Sequence, residues 1–208
     1  SDDQELSGYI ILRNKKICLT MDVGASPNLD FTKDYQSGAL SFEIVSKGEK
    51  LISNCGYFRK DNQKLNHLSK STAAQSTLII DDNSSCKFFW TKKSWLVKKG
   101  LRIIKKSSVQ DQNYWKICAS HDGYLKKYNS IHEREIEFFP DKMIFIGRDK
   151  IIKKKTNHNY KFDIRFHVEP GVKLMKTQDN KSILIELRNE GWKFTCDNYD
   201  INIDNGLY

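Results

Sequence analysis

The sequence predicts an all-β fold of stacked antiparallel sheets, of the β-sandwich or super-roll type, with little helix. About fourteen short segments are rich in Ile, Val, Phe and Tyr, and many alternate between apolar and polar residues, as half-buried strands do. Turn-forming pairs such as Lys47-Gly48 and Pro140-Asp141 separate these segments. No amphipathic pattern continues for more than about three helical turns.

The predicted strands follow one another along nearly the whole chain. In order, they cover residues 9–12, 17–23, 40–45, 77–80, 86–90, 101–104, 115–119, 131–139, 143–146, 162–168, 172–175, 183–187, 192–196 and 201–203. Between the third and fourth strands, residues 61–74 are the best candidate for a loop with a short helical turn. Since no Pro/Ser-rich linker interrupts the series, we expect residues 1–208 to form a single domain.

Bulk composition restricts the function classes. No apolar run approaches about 18 residues, so no transmembrane span is expected. The formal charge is +9, from 35 Lys and Arg against 26 Asp and Glu, which favours anionic partners. Most of the excess is scattered Lys without a nucleic-acid-recognition motif, so nucleic acid is not an expected partner. The five cysteines contain no CxxC pair, and buried thiols are the default interpretation.

Two predicted strands each place a His and an Arg two residues apart on one face. In residues 132–139, His132 and Arg134 share a face with Ile136 and Phe138, opposite three glutamates. In residues 161–168, Arg165 and His167 lie opposite a predicted core face that includes Phe166. Such a surface could form a groove floor for carboxylates or sulfates, or the Arg side chains could pair with acids of neighbouring strands.

Eight short segments, in register over about 160 residues, together resemble one family. They are residues 7–13 (SGYIILR), 21–24 (MDVG), 37–43 (SGALSFE), 51–56 (LISNCG), 71–78 (STAAQSTL), 119–124 (ASHDGY), 131–134 (IHER) and 164–168 (IRFHV). Their order resembles the C-terminal β-sheet domain of the heparinase II/III-like polysaccharide lyases. The resemblance covers nearly the whole chain.

The resemblance implies an N-terminal α/α toroid domain as a partner, and that domain is absent from this chain. An acidic, uronate-containing polysaccharide would lie between the two domains and be cleaved by β-elimination, with much of the machinery on the toroid. Alone, the sheet domain would lack one wall of the cleft. Lyases of this type often dimerise, so a homodimer is compatible with the resemblance. The family favours the periplasm or cell surface, while the cysteines leave the cytoplasm open.

The sequence departs from the family at its metal and catalytic positions. Family lyases carry a His-x-His-x-Asp segment where this chain has Asp34, Gln36 and Gly38. The zinc-binding positions of some members correspond to Gln36, Asn54 and Gln75, and amide oxygens are poor zinc ligands. We therefore expect no metal and no cofactor at this site. Neutral amides could instead hydrogen-bond one another between the strands.

The remaining substrate-binding candidates are the polar and aromatic residues of the matching segments. His121 is predicted to be an exposed imidazole in a turn, or a residue whose bond to Asp122 shapes that turn. Tyr124 could pack or stack on a sugar. The full candidate set is His121, Tyr124, His132, Arg134, Arg165 and His167. An alternative function is a non-catalytic glycan-binding or structural module that has lost the metal site and the catalytic His.

Overall fold

A computed structural model describes residues 4–153 and 159–206. Its first sheet has five antiparallel strands in sequence order: β1 (Glu5–Leu6), β2 (Tyr9–Arg13), β3 (Ile17–Asp22), β4 (Phe42–Ser46) and β5 (Glu49–Ile52). Strand β3 alternates strictly, with Leu19 and Met21 buried and Thr20 and Asp22 on the other face. This alternation gives the sheet one apolar face for the core and one polar face.

The second sheet has four antiparallel strands in the order β12-β11-β10-β9. They are β9 (Ile103–Gln110), β10 (Trp115–His121), β11 (Ser130–Phe139) and β12 (Ile144–Lys153). Burial alternates along all of β11, with His132, Arg134, Ile136 and Phe138 inside. The glutamates lie on its outer face, as the face analysis predicted, and Glu135 and Glu137 pair there with Arg148.

Smaller units complete the fold. Strand β6 (Leu78–Ile80) pairs with β13 (Phe162–Ile164), and β7 (Lys87–Trp90) pairs with β8 (Trp95–Lys99). A three-stranded sheet contains β14 (Lys173–Lys176), β15 (Ser182–Glu186) and β16 (Gly191–Thr195). The helices are α1 (Gln63–Lys70) and α2 (Leu125–Tyr128), with 3-10 turns at Leu29–Phe31 and Thr72–Ala74. The Asn62 side chain accepts a hydrogen bond from Leu65 N at 3.0 Å and so begins α1.

One apolar core joins the first sheet, the second sheet and the three-stranded sheet. The first sheet contributes Leu19 to this core, the second sheet Ile117 and the three-stranded sheet Ile185. Trp115 and Phe138, both fully buried, meet edge to face at 5.0 Å between ring centroids. Each such side chain contributes about 1.5–3 kcal/mol through burial. The core therefore fixes the relative positions of the sheets on which the candidate site is built.

The all-β prediction is confirmed, and α1 lies within the predicted helical segment. Several details were wrong. Strands β5 and β8 had no predicted counterpart, and β9 continues to Gln110, well beyond the predicted end at residue 104. Residues 201–203 form no strand, and the strand predicted for 162–168 ends at Ile164, after which Phe166 is 37% exposed. Strand β12 continues to Lys153, well beyond its predicted end at residue 146, because cross-strand ion pairs replace apolar residues there. No helix of the described ranges is long and apolar enough to cross a membrane.

Candidate functional site

A polar cleft of about 520 Å³ lies on the face of the first sheet that is turned away from the core. Strand β3 builds its floor, because Thr20 and Asp22 point away from the buried side chains of the same strand. Segments that follow β3 and β5 add its walls. The lining residues are Tyr9, Thr20, Asp22, Asp34, Tyr35, Gln36, Gly38, Ser41, Phe42, Glu43, Lys50, Asn54, Gly56 and Gln75.

The three positions that resemble a lost zinc site all line this cleft. Gln75 Nε2 donates to Gln36 Oε1 at 3.0 Å, so these two amides pair across the cleft wall. Asn54 does not join the pair. Its Oδ1 accepts from Ser76 N at 2.7 Å and its Nδ2 donates to Glu43 Oε1 at 3.4 Å.

These residues do not suit a zinc ion. The Gln36 and Asn54 oxygens already accept hydrogen bonds, and amides are weaker zinc ligands than imidazole or carboxylate. Within residues 4–153 and 159–206, no group of three or more His, Cys, Asp or Glu side chains is arranged to hold a metal ion.

Carboxylates dominate the charge of the cleft. Asp22, Asp34 and Glu43 line it, against a single ammonium group from Lys50. That ammonium lies 3.7 Å from Glu43 and 3.3 Å from Glu169, so it is already paired with acids. Burial raises the pKa of Asp22 to about 6, although a hydrogen bond from Gly24 N opposes the rise.

Two tyrosines line the cleft but are poor bases at neutral pH. Burial and the charge of nearby Asp22 raise the pKa of Tyr9 above its ordinary value of 10.0. Burial raises the pKa of Tyr35 further. Both phenols therefore keep their protons and serve as hydrogen-bonding groups.

A buried polar network lies behind the cleft, between the sheets. His121 Nδ1 accepts from Gly123 N at 3.0 Å, so the proton of a neutral His121 is on Nε2, which lies 3.2 Å from His132 Nδ1. His132 Nε2 then donates to Asp149 Oδ1 at 2.6 Å. Burial lowers the pKa of both histidines, which agrees with neutral tautomers in this series of hydrogen bonds.

Arg134 connects this network to the cleft wall. Its Nε and Nη2 form a two-pronged ion pair with Asp149 at 2.8 and 3.0 Å. Its Nη1 donates to Leu40 O at 2.9 Å and to Ser76 O at 2.7 Å. Leu40 has a positive φ of 62°, a strained conformation for a branched residue. Arg134 therefore holds the two segments that carry Ser41 and Gln75 into the cleft.

Four of the substrate-binding candidates prove to be interior residues. His121, Tyr124 and Arg134 are 1% exposed and His132 is 0% exposed. The prediction that His121 is an exposed imidazole is wrong, because the residue ends buried strand β10 and faces His132. Tyr124 donates to Leu78 O at 3.1 Å instead of presenting its ring to solvent. These side chains have almost no accessible surface for a ligand and support the cleft from behind.

The other two candidates lie nearer the surface. The Arg165 guanidinium is within 3.6 Å of Asp82 and 3.9 Å of Asp163. His167 is half-buried, with Nδ1 3.2 Å from Cys55 Sγ and Nε2 donating to Ala73 O at 3.0 Å. Both Arg134 and Arg165 thus pair with acids, which was the alternative to a groove floor that binds carboxylates or sulfates. Contact of Arg165 or His167 with a ligand stays a prediction.

Sequence analysis missed Lys70, the last residue of α1. Its ammonium group is fully buried and donates to the backbone oxygens of Thr32, Lys33 and Tyr35. Burial lowers its pKa to about 8. The three carbonyls belong to the segment that leads into Gln36, so Lys70 fixes that wall of the cleft. Nothing in the sequence around Lys70 marks it as buried, since the helix is polar on most sides.

Comparison with solved structures places this architecture among known folds. The heparan sulfate lyase HepC from Pedobacter heparinus matches 88% of this chain with a TM-score of 0.67 and 16% identity. A structure of heparinase III matches 89% of it with a TM-score of 0.64 and 16% identity. This chain covers 26% and 27% of those two chains, respectively. At such identities the likeness is one of fold.

Sequence comparison gives a relative and a family. FtsZ-localized protein C of Caulobacter vibrioides is 24% identical over 211 residues, which are 95% of this chain and 36% of that protein. The chain thus spans about a third of the length of this curated relative. The family model described as heparinase II/III-like, C-terminal, matches residues 2–208. The chain belongs to the heparinase II/III-like family and corresponds to its C-terminal domain.

Proposed function

We propose that this domain forms one wall of a glycan-binding cleft in a longer heparinase II/III-like protein, and that it holds the sugar with hydrogen bonds instead of a metal ion. The observation that carries the proposal is the 520 Å³ cleft, whose lining is mostly amides, hydroxyls and carboxylates. Sugars present many hydroxyl groups, which such a lining can pair one by one. The second wall comes from an N-terminal domain.

Neither a histidine nor a tyrosine of the described cleft lining supplies the base of a β-elimination. None of the described residues that line the cleft is a histidine, and the raised pKa values of Tyr9 and Tyr35 keep both phenols protonated. Asp34 stands where family lyases carry a histidine, and its negative charge would oppose an anionic substrate. Elimination chemistry in the whole protein therefore uses neither a histidine nor a phenolate of this wall.

A second candidate is one wall of a true lyase cleft for an acidic polysaccharide. Family membership and the fold shared with HepC and heparinase III favour it. Both candidates require a glycan in the same cleft, and they differ in whether the whole protein cleaves it.

A binding experiment tests the shared requirement. The 208-residue protein is titrated calorimetrically with neutral, amine-bearing and uronate-containing tetrasaccharides. We expect measurable binding of at least one, and about a tenfold loss of affinity in Gln75→Leu, which removes a cleft amide. The matched control is Gln110→Leu, because Gln110 lies on β9, in the second sheet, and is not among the cleft-lining residues. No heat with any sugar, or equal loss in both variants, contradicts the proposal.

An assay of the full-length gene product separates the two candidates. Unsaturated uronate absorbs in the ultraviolet, so β-elimination is followed directly on heparan, alginate and hyaluronan. Binding without product supports the non-catalytic module. Product formation that persists in Asp34→Asn and Asn54→Ala supports the lyase, with its chemistry on the other domain.

A further inference from the structure

We infer that the cleft selects a glycan that carries a positive charge, namely an amine-bearing sugar, over one that carries uronates. This inference rests on the proposed function and names the ligand class of the same cleft. The net charge of the whole chain, +9, would by itself favour an anionic ligand instead. The local arrangement of acceptors inside the cleft carries the inference.

Charged groups in the lining are mostly acceptors. Asp22, Asp34 and Glu43 contribute three carboxylates, and the single ammonium, that of Lys50, is within ion-pair distance of Glu43 and Glu169. A carboxylate ligand entering the cleft would meet these groups at close range and would first have to separate Lys50 from its acids. An ammonium group would meet partners of opposite charge.

Two acceptor atoms inside the cleft have no hydrogen-bond donor among the described residues. In the part of the chain that the structure describes, Asp22 Oδ1 accepts from Gly24 N at 2.9 Å, but no hydrogen bond reaches Oδ2. The Gln75 side chain is 4% exposed, and its Oε1 likewise has no hydrogen-bond donor there, while its Nε2 is paired with Gln36. Neither oxygen is among the fully buried, unpaired polar atoms of the described residues, so both are accessible to a ligand that enters the cleft and donates a hydrogen bond.

The net positive charge of the chain does not describe the cleft, because the excess basic residues lie elsewhere on the surface. Basic residues such as Arg148 and Lys150 lie on the outer face of β12 and pair with the glutamates of β11. None of the excess basic residues other than Lys50 is among the described lining residues. Coulomb interactions with exposed charges are screened within about 8–10 Å at ordinary ionic strength. A small ligand in the cleft therefore responds mainly to the lining carboxylates.

Three tetrasaccharides of equal length test the inference: one of glucosamine, one of N-acetylglucosamine and one of galacturonate. Calorimetry of the 208-residue protein is carried out at two salt concentrations. We expect the glucosamine oligomer to bind at least about tenfold more tightly than the N-acetyl oligomer, and the galacturonate oligomer to bind most weakly. In Asp34→Asn and Glu43→Gln the ratio of the affinity for the glucosamine oligomer to that for the N-acetyl oligomer falls severalfold.

The outcomes separate this inference from the proposed function. Equal or tighter binding of galacturonate overturns the inference and leaves the glycan cleft in place. Absence of binding by all three oligomers overturns both. Unchanged selectivity in the two carboxylate variants also overturns the inference, and because Asp34 is exposed, its replacement does not threaten folding. Glu133→Gln on the opposite sheet is the control for nonspecific charge effects.

Discussion

Replacing Asp149 by Asn removes the ion pair that is buried behind the cleft and so tests its contribution to stability. The change keeps the shape of the side chain but removes the charge that neutralises Arg134, whose side chain is 2% exposed against 8% for Asp149. Removing one partner of a buried pair costs about 3–5 kcal/mol, because the other charge is left uncompensated. The two hydrogen bonds from Arg134 to Leu40 and Ser76 offset only part of that cost.

The assay is urea unfolding followed by tryptophan fluorescence, since Trp115 is fully buried in the core. We expect Asp149→Asn to lose about 3–5 kcal/mol of unfolding free energy. The matched control is Glu133→Gln, which breaks the more exposed contact with Lys150 at 3.5 Å and should cost at most about 1 kcal/mol. Equal losses in the two variants would refute the argument that the buried pair supports the cleft wall.

Three further predictions concern buried ionisable groups. Burial lowers the pKa of His121 and His132 below the ordinary 6.5, so the unfolded state binds more protons than the folded state as the pH falls through that range. The unfolding free energy is therefore highest above pH 6.5. Below it, the unfolding free energy decreases by up to about 1.4 kcal/mol per pH unit for each histidine. Urea unfolding at several pH values should show this slope, and His132→Gln should reduce it. Lys70→Met should cost about 2–4 kcal/mol by chemical denaturation because three carbonyls lose their donor, whereas exposed Lys64→Met on the same helix should stay within about 0.5 kcal/mol. Asp22→Asn should raise the unfolding free energy near neutral pH by about 1–2 kcal/mol, since its raised pKa marks a destabilised carboxylate; an unchanged or lower value would show that the carboxylate is well solvated.

Strand faces could be predicted because alternation is a local property. The pattern of residues 132–139 correctly separated an interior face from a glutamate face, and β11 buries that interior face along its whole length. The interior nature of His132 and Arg134 was harder to recognise. Their partner, Asp149, lies on a part of β12 beyond the predicted strand, so no neighbouring acid was visible to compensate the buried charges.

The cleft itself could be predicted only in part. The three amide positions were identified through the family resemblance, and all three do line the cleft. Asp22 was missed because a single acid in an alternating strand is typical of any exposed face. Lys70 was missed because its burial depends on carbonyls about 35 residues away in sequence. Long-range polar contacts of this kind leave no periodic signal.

Nuclear magnetic resonance mapping of a bound tetrasaccharide would identify the side chains that contact the sugar. We expect the glucosamine oligomer to shift the side-chain amide signals of Gln36, Asn54 and Gln75, with weaker effects elsewhere. The same titration in Gln75→Leu should lose the Gln36 shift, because those two amides are hydrogen-bonded. Shifts concentrated on the outer face of β11 and β12, with the signals of the three cleft amides unchanged, would show that the sugar does not bind in the cleft.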